Sequence, residues 1–183
     1  MFRSLSLLLI VVVLALEPSC QQKSQDYVLA GNSLQKQGKR DEAELSYRKA
    51  LQQDAKNSEA YYRLGLLLLE KDKGDLGFVS IARANELAPQ NLEIENRLSD
   101  VALFLFLGKS SRPKMYRDKL DQIVRTANAR EPNSFQAARI QGFLLMSDGK
   151  FEDSVVMFRQ ALQKKKADPE ISLAILKPLI ELG

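Results

Sequence analysis

Residues 24–57, SQDYVLAGNSLQKQGKRDEAELSYRKALQQDAKN, run directly into residues 58–91, SEAYYRLGLLLLEKDKGDLGFVSIARANELAPQN, and the two stretches are in register. Tyr27, Gly31, Ala50 and Asn57 recur as Tyr61, Gly65, Ala84 and Asn91, each after 34 residues. Four matches at one spacing mark an internal repeat, and a period near 34 is that of a helix–turn–helix unit stacked on its copies. The expected fold class is all-α, a solenoid of antiparallel helix pairs. Such a chain works by presenting a surface rather than by closing around a catalytic pocket.

Small residues recur where two helices must approach closely: Gly31, Ala43 and Ala50 in the first stretch, Gly65, Gly77 and Ala84 in the second. Tyr27, Leu34 and Tyr47, then Tyr61, Leu64, Leu68 and Ile81, supply the bulk between them. Gly38 falls where the first helix must reverse into the second, a place suited to left-handed backbone. Pro89, just after Leu87-Ala88, marks the end of a second helix. Together these positions resemble the tetratricopeptide repeat. The resemblance implies a right-handed superhelix whose concave side is lined by the first helix of each repeat.

Extending the frame gives repeats at 24–57, 58–91, 92–134 and 135–168, with a partial fifth at 169–183: about four repeats plus a terminal helix. The third is nine residues too long. Its surplus is expected as a longer loop around Gly108 to Pro113 and a lengthened second helix, with Pro113 as the first helical residue. The fourth returns to register through Gly142, Leu145, Gly149, Ser154, Phe158 and Ala161. The last helix opens at Pro169 and carries Pro178, which predicts a kink. Its apolar character favours the start of a further repeat over a polar cap.

Ahead of the repeats, Arg3 and the apolar run Leu5 to Leu16 have the form of a secretory leader, shorter than the roughly 20 residues that span a bilayer. Residues 1–19 are expected as a signal peptide cleaved before Cys20, the only cysteine, with 20–23 as a short tether to the solenoid at 24–183. A lone cysteine behind a leader, preceded by the small Ser19, resembles the lipidation site of bacterial lipoproteins. Glu17 and Pro18 depart from that family's usual pattern. An uncleaved anchor, or an ordinary leader with an incidental cysteine, are the competing readings. The lipoprotein resemblance implies export and a lipid-anchored protein at the bacterial envelope, facing the periplasm.

Composition excludes much chemistry. The chain has no histidine and no tryptophan, so imidazole-based acid–base or nucleophilic catalysis and the common zinc constellations are absent. Its glycines are dispersed at repeat-determined positions and form no phosphate-cradling loop. Acid pairs such as Asp41-Glu42 and Glu152-Asp153 fall in the first turns of second helices, where the helix dipole accounts for them. No catalytic residue, no metal site and no cofactor are expected. The net charge of +4 is dispersed among acids, so nucleic acid is not an expected partner.

What remains is the concave surface. Carrying the family's groove positions onto this chain gives Asn32, Gln35 and Lys36 in the first repeat and Tyr62, Arg63, Leu66 and Leu69 in the second. The fourth contributes Arg139, Ile140, Phe143 and Met146. Arginine, aromatic and methionine side chains sharing a helical face suit a protein or peptide ligand. Packing against neighbouring helices is the competing reading for Leu66, Leu69 and Phe143. Asn32 matches one position of the carboxylate clamp of chaperone-binding relatives, but Val28 replaces its lysine, so that activity is not expected.

A second candidate surface is the basic stretch Lys109, Arg112, Lys114, Arg117 and Lys119, set against the single acid Asp118. It could meet anionic lipid or acidic polysaccharide, or be a solvated loop. Leader and irregular repeats together resemble the repeat lipoproteins found with bacterial exopolysaccharide and exosortase (PEP-CTERM) systems. That resemblance implies a non-catalytic scaffold in polysaccharide export or protein sorting. The alternatives are a glycan-binding or export-assembly accessory using the basic stretch, and an intracellular adaptor with a misread N-terminus.

Overall fold

The computed structural model describes residues 20–183, and every element within them is a helix. Among the described residues helix α1 covers 20–36, followed by α2 (Arg40–Gln53), α3 (Ser58–Glu70), α4 (Gly74–Leu87) and α5 (Leu92–Gly108). Then come α6 (Lys114–Arg130), α7 (Phe135–Ser147), α8 (Phe151–Lys164), α9 (Pro169–Ala174) and α10 (Leu176–Glu181). The described residues fall into two compact units, the first ending at Ile94 and the second beginning at Glu95. The expected leader at 1–19, with its cleavage point, lies outside the described residues.

Within each unit, helices pair through a notch made by a small residue. A Cβ added at Gly31 would lie 2.5 Å from Tyr47 Cε1, one at Gly65 2.5 Å from Ile81 Cγ1, and one at Gly142 2.5 Å from Phe158 Cδ1. The three side chains that enter these notches are fully buried. Glycine is thus required by close approach, and the repeated position is a packing device. In the first unit α3 packs on both α2 and α4; in the second α7 packs on both α6 and α8.

The turns repeat as faithfully as the cores. Gly38 and Gly149 hold φ of +77° and +73°, and Asp72 takes the same place in the second repeat at +56°. One hydrogen bond closes all three turns: Lys39 N–H to Leu34 O at 3.0 Å, Lys73 N–H to Leu68 O at 2.9 Å, Lys150 N–H to Leu145 O at 3.0 Å. The echo of Asn57 in Asn91 is a capping echo. Asn57 Oδ1 accepts from the Ala60 N–H and Asn91 Oδ1 from the Ile94 N–H, as Ser134 and Asp168 do at the heads of α7 and α9.

Three expectations are corrected, and a fourth, the kink in the last helix, is met in sharper form. Residues 20–23 are not a tether but helical, continuous with the rest of α1. Cys20-Gln21-Gln22-Lys23 holds no Gly or Pro, and Gln and Lys propagate a helix readily. The surplus of the third repeat is not chiefly loop. Against the second repeat, four residues lengthen α5, two lengthen the turn and three lengthen α6. Pro113 is the residue before α6 rather than its first residue, with φ −55° and ψ 130°. The expected kink takes the form of an interruption at Ile175, between α9 and α10. Pro178 has no N–H to give the Ala174 carbonyl and its ring crowds that oxygen, so the helix breaks there.

Candidate functional site

The second unit carries a groove of about 840 Å³ bordered by α5, α7 and the head of α9. Helix α5 contributes Asn96, Asp100, Leu103, Phe104 and Leu107; α7 contributes Phe135, Gln136, Arg139 and Phe143; Lys165, Asp168 and Glu170 close one end. These residues meet because Ser134 and Asp168 fix the first turns of α7 and α9. On α5, Asn96, Asp100, Leu103 and Leu107 recur at the spacing of one helical face.

Arg139 organises the polar part. It is 7% exposed, donates from Nε and Nη2 to Glu170 at 2.7 and 2.9 Å, and reaches Asp100 at 3.0 Å. Burial acts against its charge, but the Glu170 and Asp100 carboxylates outweigh burial and raise its pKa. It is a fixed cation with two acids. Phe143 stands edge-on to Phe158 with ring centres 5.1 Å apart, while the Arg139 guanidinium lies 5.9 Å from the Phe143 ring centre. Lys165 lies similarly over Phe135 at 5.2 Å and bonds Asp168 at 2.7 Å, which holds that carboxyl below its usual range. Phe104, by contrast, projects from α5 and is 77% exposed.

Two of the four residues expected from α7, Arg139 and Phe143, line this groove. Ile140 does not: it is fully buried, because the residue after Arg139 points about 100° away, into the packing of α7 on its neighbours. Met146 is half-buried and stands outside the groove wall. The sequence reading missed the α5 wall. Asn96 and Asp100 stand 43 residues before Arg139 and Phe143, the length of the third repeat, so the frame that yielded one pair would have yielded the other. The insertion drew attention to the far end of that repeat, although its first helix is in register.

In the first unit the expected residues are more occupied. The Tyr47 hydroxyl, whose pKa burial raises, lies 2.8 Å from Asn32 Oδ1 and 2.9 Å from Gln35 Oε1. Gln35 also donates to Glu70 at 2.8 Å. Tyr62 is 5% exposed, and its hydroxyl reaches Glu93 Oε1 at 3.1 Å. Leu69 closes over Gly77, where an added Cβ would meet Leu69 Cδ2 at 2.7 Å. Arg63 pairs with Glu59 at 2.6 Å and lies 5.9 Å from the Tyr62 ring centre. Leu66 is half-buried and Lys36 exposed.

The basic stretch is not a field of loose cations. Arg117 forms a double hydrogen bond to Asp148 at 2.8 and 2.9 Å and lies 3.4 Å from Asp121. Lys114 pairs with Asp118 at 2.7 Å, Lys119 donates to Gln122 at 2.9 Å, and Arg112 bonds the Ser147 carbonyl. Lys109 lies 5.5 Å from the Tyr116 ring centre. The sequence count missed Asp121 and Asp148, which neutralise much of this charge. Cys20 is exposed with a free thiol. Among the described residues no cluster of three or more His, Cys, Asp or Glu could hold a metal ion, and no helix is long and apolar enough to cross a membrane.

Comparison with known proteins agrees with this architecture. Residues 31–72 match the TPR repeat family. No curated protein matches the chain. Among solved structures, MamA from Desulfovibrio magneticus RS-1 (residue 41 to its end) is similar at a TM-score of 0.67 and 15% identity, over 87% of this chain and 85% of that one. YrrB, a TPR protein with an unusual peptide-binding site, is similar at 0.60 and 19% identity, over 85% of this chain and 76% of that one. Pseudomonas aeruginosa PilF is similar at 0.61 and 16% identity, over 90% and 71%. At these identities the likeness is one of fold, and the fold is the all-α tetratricopeptide type.

Proposed function

We propose that this protein is a non-catalytic scaffold that docks a peptide segment of a protein partner in the groove between α5 and α7. The observation that carries the reading is Phe104, a bulky apolar side chain left exposed on the wall of a groove whose other aromatics are anchored. A repeat fold gains nothing in stability from a phenylalanine in solvent, whereas aromatic anchors beside arginine are what interfaces use. The peptide-binding site that names YrrB supports the same reading by analogy.

The test is selection from a random-peptide display library on the whole chain and on Phe104→Ser. Because Phe104 is exposed, the variant should keep the wild-type circular dichroism and unfolding midpoint. Peptides selected on the wild type are expected to lose about tenfold or more in affinity on the variant. Peptides indifferent to Phe104, or failure to select any, would contradict the reading.

The proposed setting is the bacterial envelope, with the chain held by lipid on Cys20 and facing the periplasm, in exopolysaccharide export or protein sorting. Support comes from the leader-like segment before Cys20 and from the exposure of its thiol. Radiolabelled palmitate should enter the wild type and not Cys20→Ser; label retained by the variant would remove the lipid anchor at that residue.

A further inference from the structure

The groove between α5 and α7 has a charge opposite in sign to that of the chain. The protein carries +4 overall, yet the groove's lining holds three carboxylates, Asp100, Asp168 and Glu170, against two cations, Arg139 and Lys165. Both cations are already committed. Arg139 is buried between Glu170 and Asp100, and Lys165 is bonded to Asp168. The acids of the first cluster are less spent. The Asp100 and Glu170 side chains remain about half exposed, at 47% and 50%, around a single guanidinium.

The aromatic faces are distributed in the same way. Arg139 covers Phe143 and Lys165 covers Phe135, so the chain's own cations occupy those rings. Phe104 stands at the opposite wall, four residues beyond Asp100 and so on the same side of α5. Apolar surface, surplus carboxylate and an aromatic face therefore lie together; the one cation that reaches solvent, Lys165 at 61% exposure, is already paired with the buried Asp168.

Resting on the peptide-docking reading above, we infer that the partner segment is cationic and apolar: bulky hydrophobic side chains on Phe104 and Leu107, with a lysine or arginine beside Asp100 and Glu170. A ligand ammonium or guanidinium there completes the half-solvated carboxylates and leaves Arg139 paired. An acidic segment would face net repulsion and would have to displace Glu170 from a buried arginine, leaving charge unpaired. Selectivity by charge thus follows from the groove's own ion pairs.

The experiment uses fluorescein-labelled peptides of one apolar pattern, Leu and Phe at fixed positions, with the intervening residues Lys/Arg, Gln or Glu. Binding to the whole chain is read by anisotropy at low and at physiological salt. The basic peptide is expected to bind at least about tenfold tighter than the acidic one, with the Gln peptide between, and to weaken as salt rises. Asp100→Asn, which leaves Glu170 on Arg139, should reduce the basic peptide's advantage over the Gln peptide several-fold without moving the unfolding midpoint by more than a few degrees. Equal binding of all three peptides, still sensitive to Phe104→Ser, would overturn the charge assignment while the groove stands. Binding of any of them that ignores Phe104→Ser would overturn both. A preference for the acidic peptide would also overturn the inference.

Discussion

At Gly65 two opposing effects can be weighed directly. Alanine there would gain about 1 kcal/mol of helix propensity over glycine. Its Cβ would stand 3.0 Å from the Gly77 carbonyl oxygen and 3.1 Å from the Ile81 amide nitrogen, as well as 2.5 Å from Ile81 Cγ1. Backbone cannot step aside as a side-chain tip can, so overpacking wins, and Gly65→Ala should destabilise by about 1–2 kcal/mol in denaturant titration. An unchanged midpoint would mean that α3 and α4 are more loosely apposed than described. Ala167 offers the reverse case. It holds φ of +59°, in the left-handed region that penalises a Cβ. Ala167→Gly should raise stability by about 0.5–1 kcal/mol, read as a higher thermal midpoint. Nothing in the sequence marked Ala167, because left-handed backbone was sought at glycines.

Among elements, α5 and α6 depart furthest from the repeat. Where the first two repeats place Tyr27 and Tyr61, α5 places Glu95, only 3% exposed and bound through both carboxylate oxygens by Arg130 at the end of α6. Removing the arginine strands a buried carboxylate. Arg130→Met should therefore destabilise by about 3 kcal/mol, at the lower end for a broken buried pair because Arg130 is one-third exposed. Glu95→Met combined with Arg130→Met should recover most of that loss, and a double variant no better than the single would contradict the pairing. The helix pairs were legible in the sequence because small and bulky residues recur at 34, and the break in the last helix because Pro178 has a fixed chemistry. The extension of α1 to Cys20 was not legible, since that turn has no apolar register to betray it. Half the groove was legible on α7; the α5 half was obscured by an insertion that changes the repeat's length without moving its first helix.

For the whole molecule, acid is the condition that loosens the ion pairs. Asp148 beside Arg117, Asp168 beside Lys165 and Glu44 beside Lys71 all have their pKa lowered by those partners. A carboxylate depressed in the folded state stabilises above its unfolded pKa and loses that contribution as pH falls through the folded one. Thermal stability should stay level from pH 7 to about 5 and fall below about pH 4, where unfolded carboxylates take up protons. Asp148→Asn with Asp168→Asn should flatten that fall, and an equally steep decline in the double variant would place the acid sensitivity elsewhere.

The 34-residue repeat fixes the packing, and what deviates from it, Phe104 above all, is proposed to choose the partner. Methyl-labelled NMR of the whole chain, titrated with a display-selected peptide, tests this most directly. Leu103 and Leu107 methyls in the groove should shift, while the exposed methyls of Leu45 on α2 and Val79 on α4 stay in place. Shifts concentrated at Leu45 and Val79, with Leu103 and Leu107 unmoved, would contradict a docking site between α5 and α7.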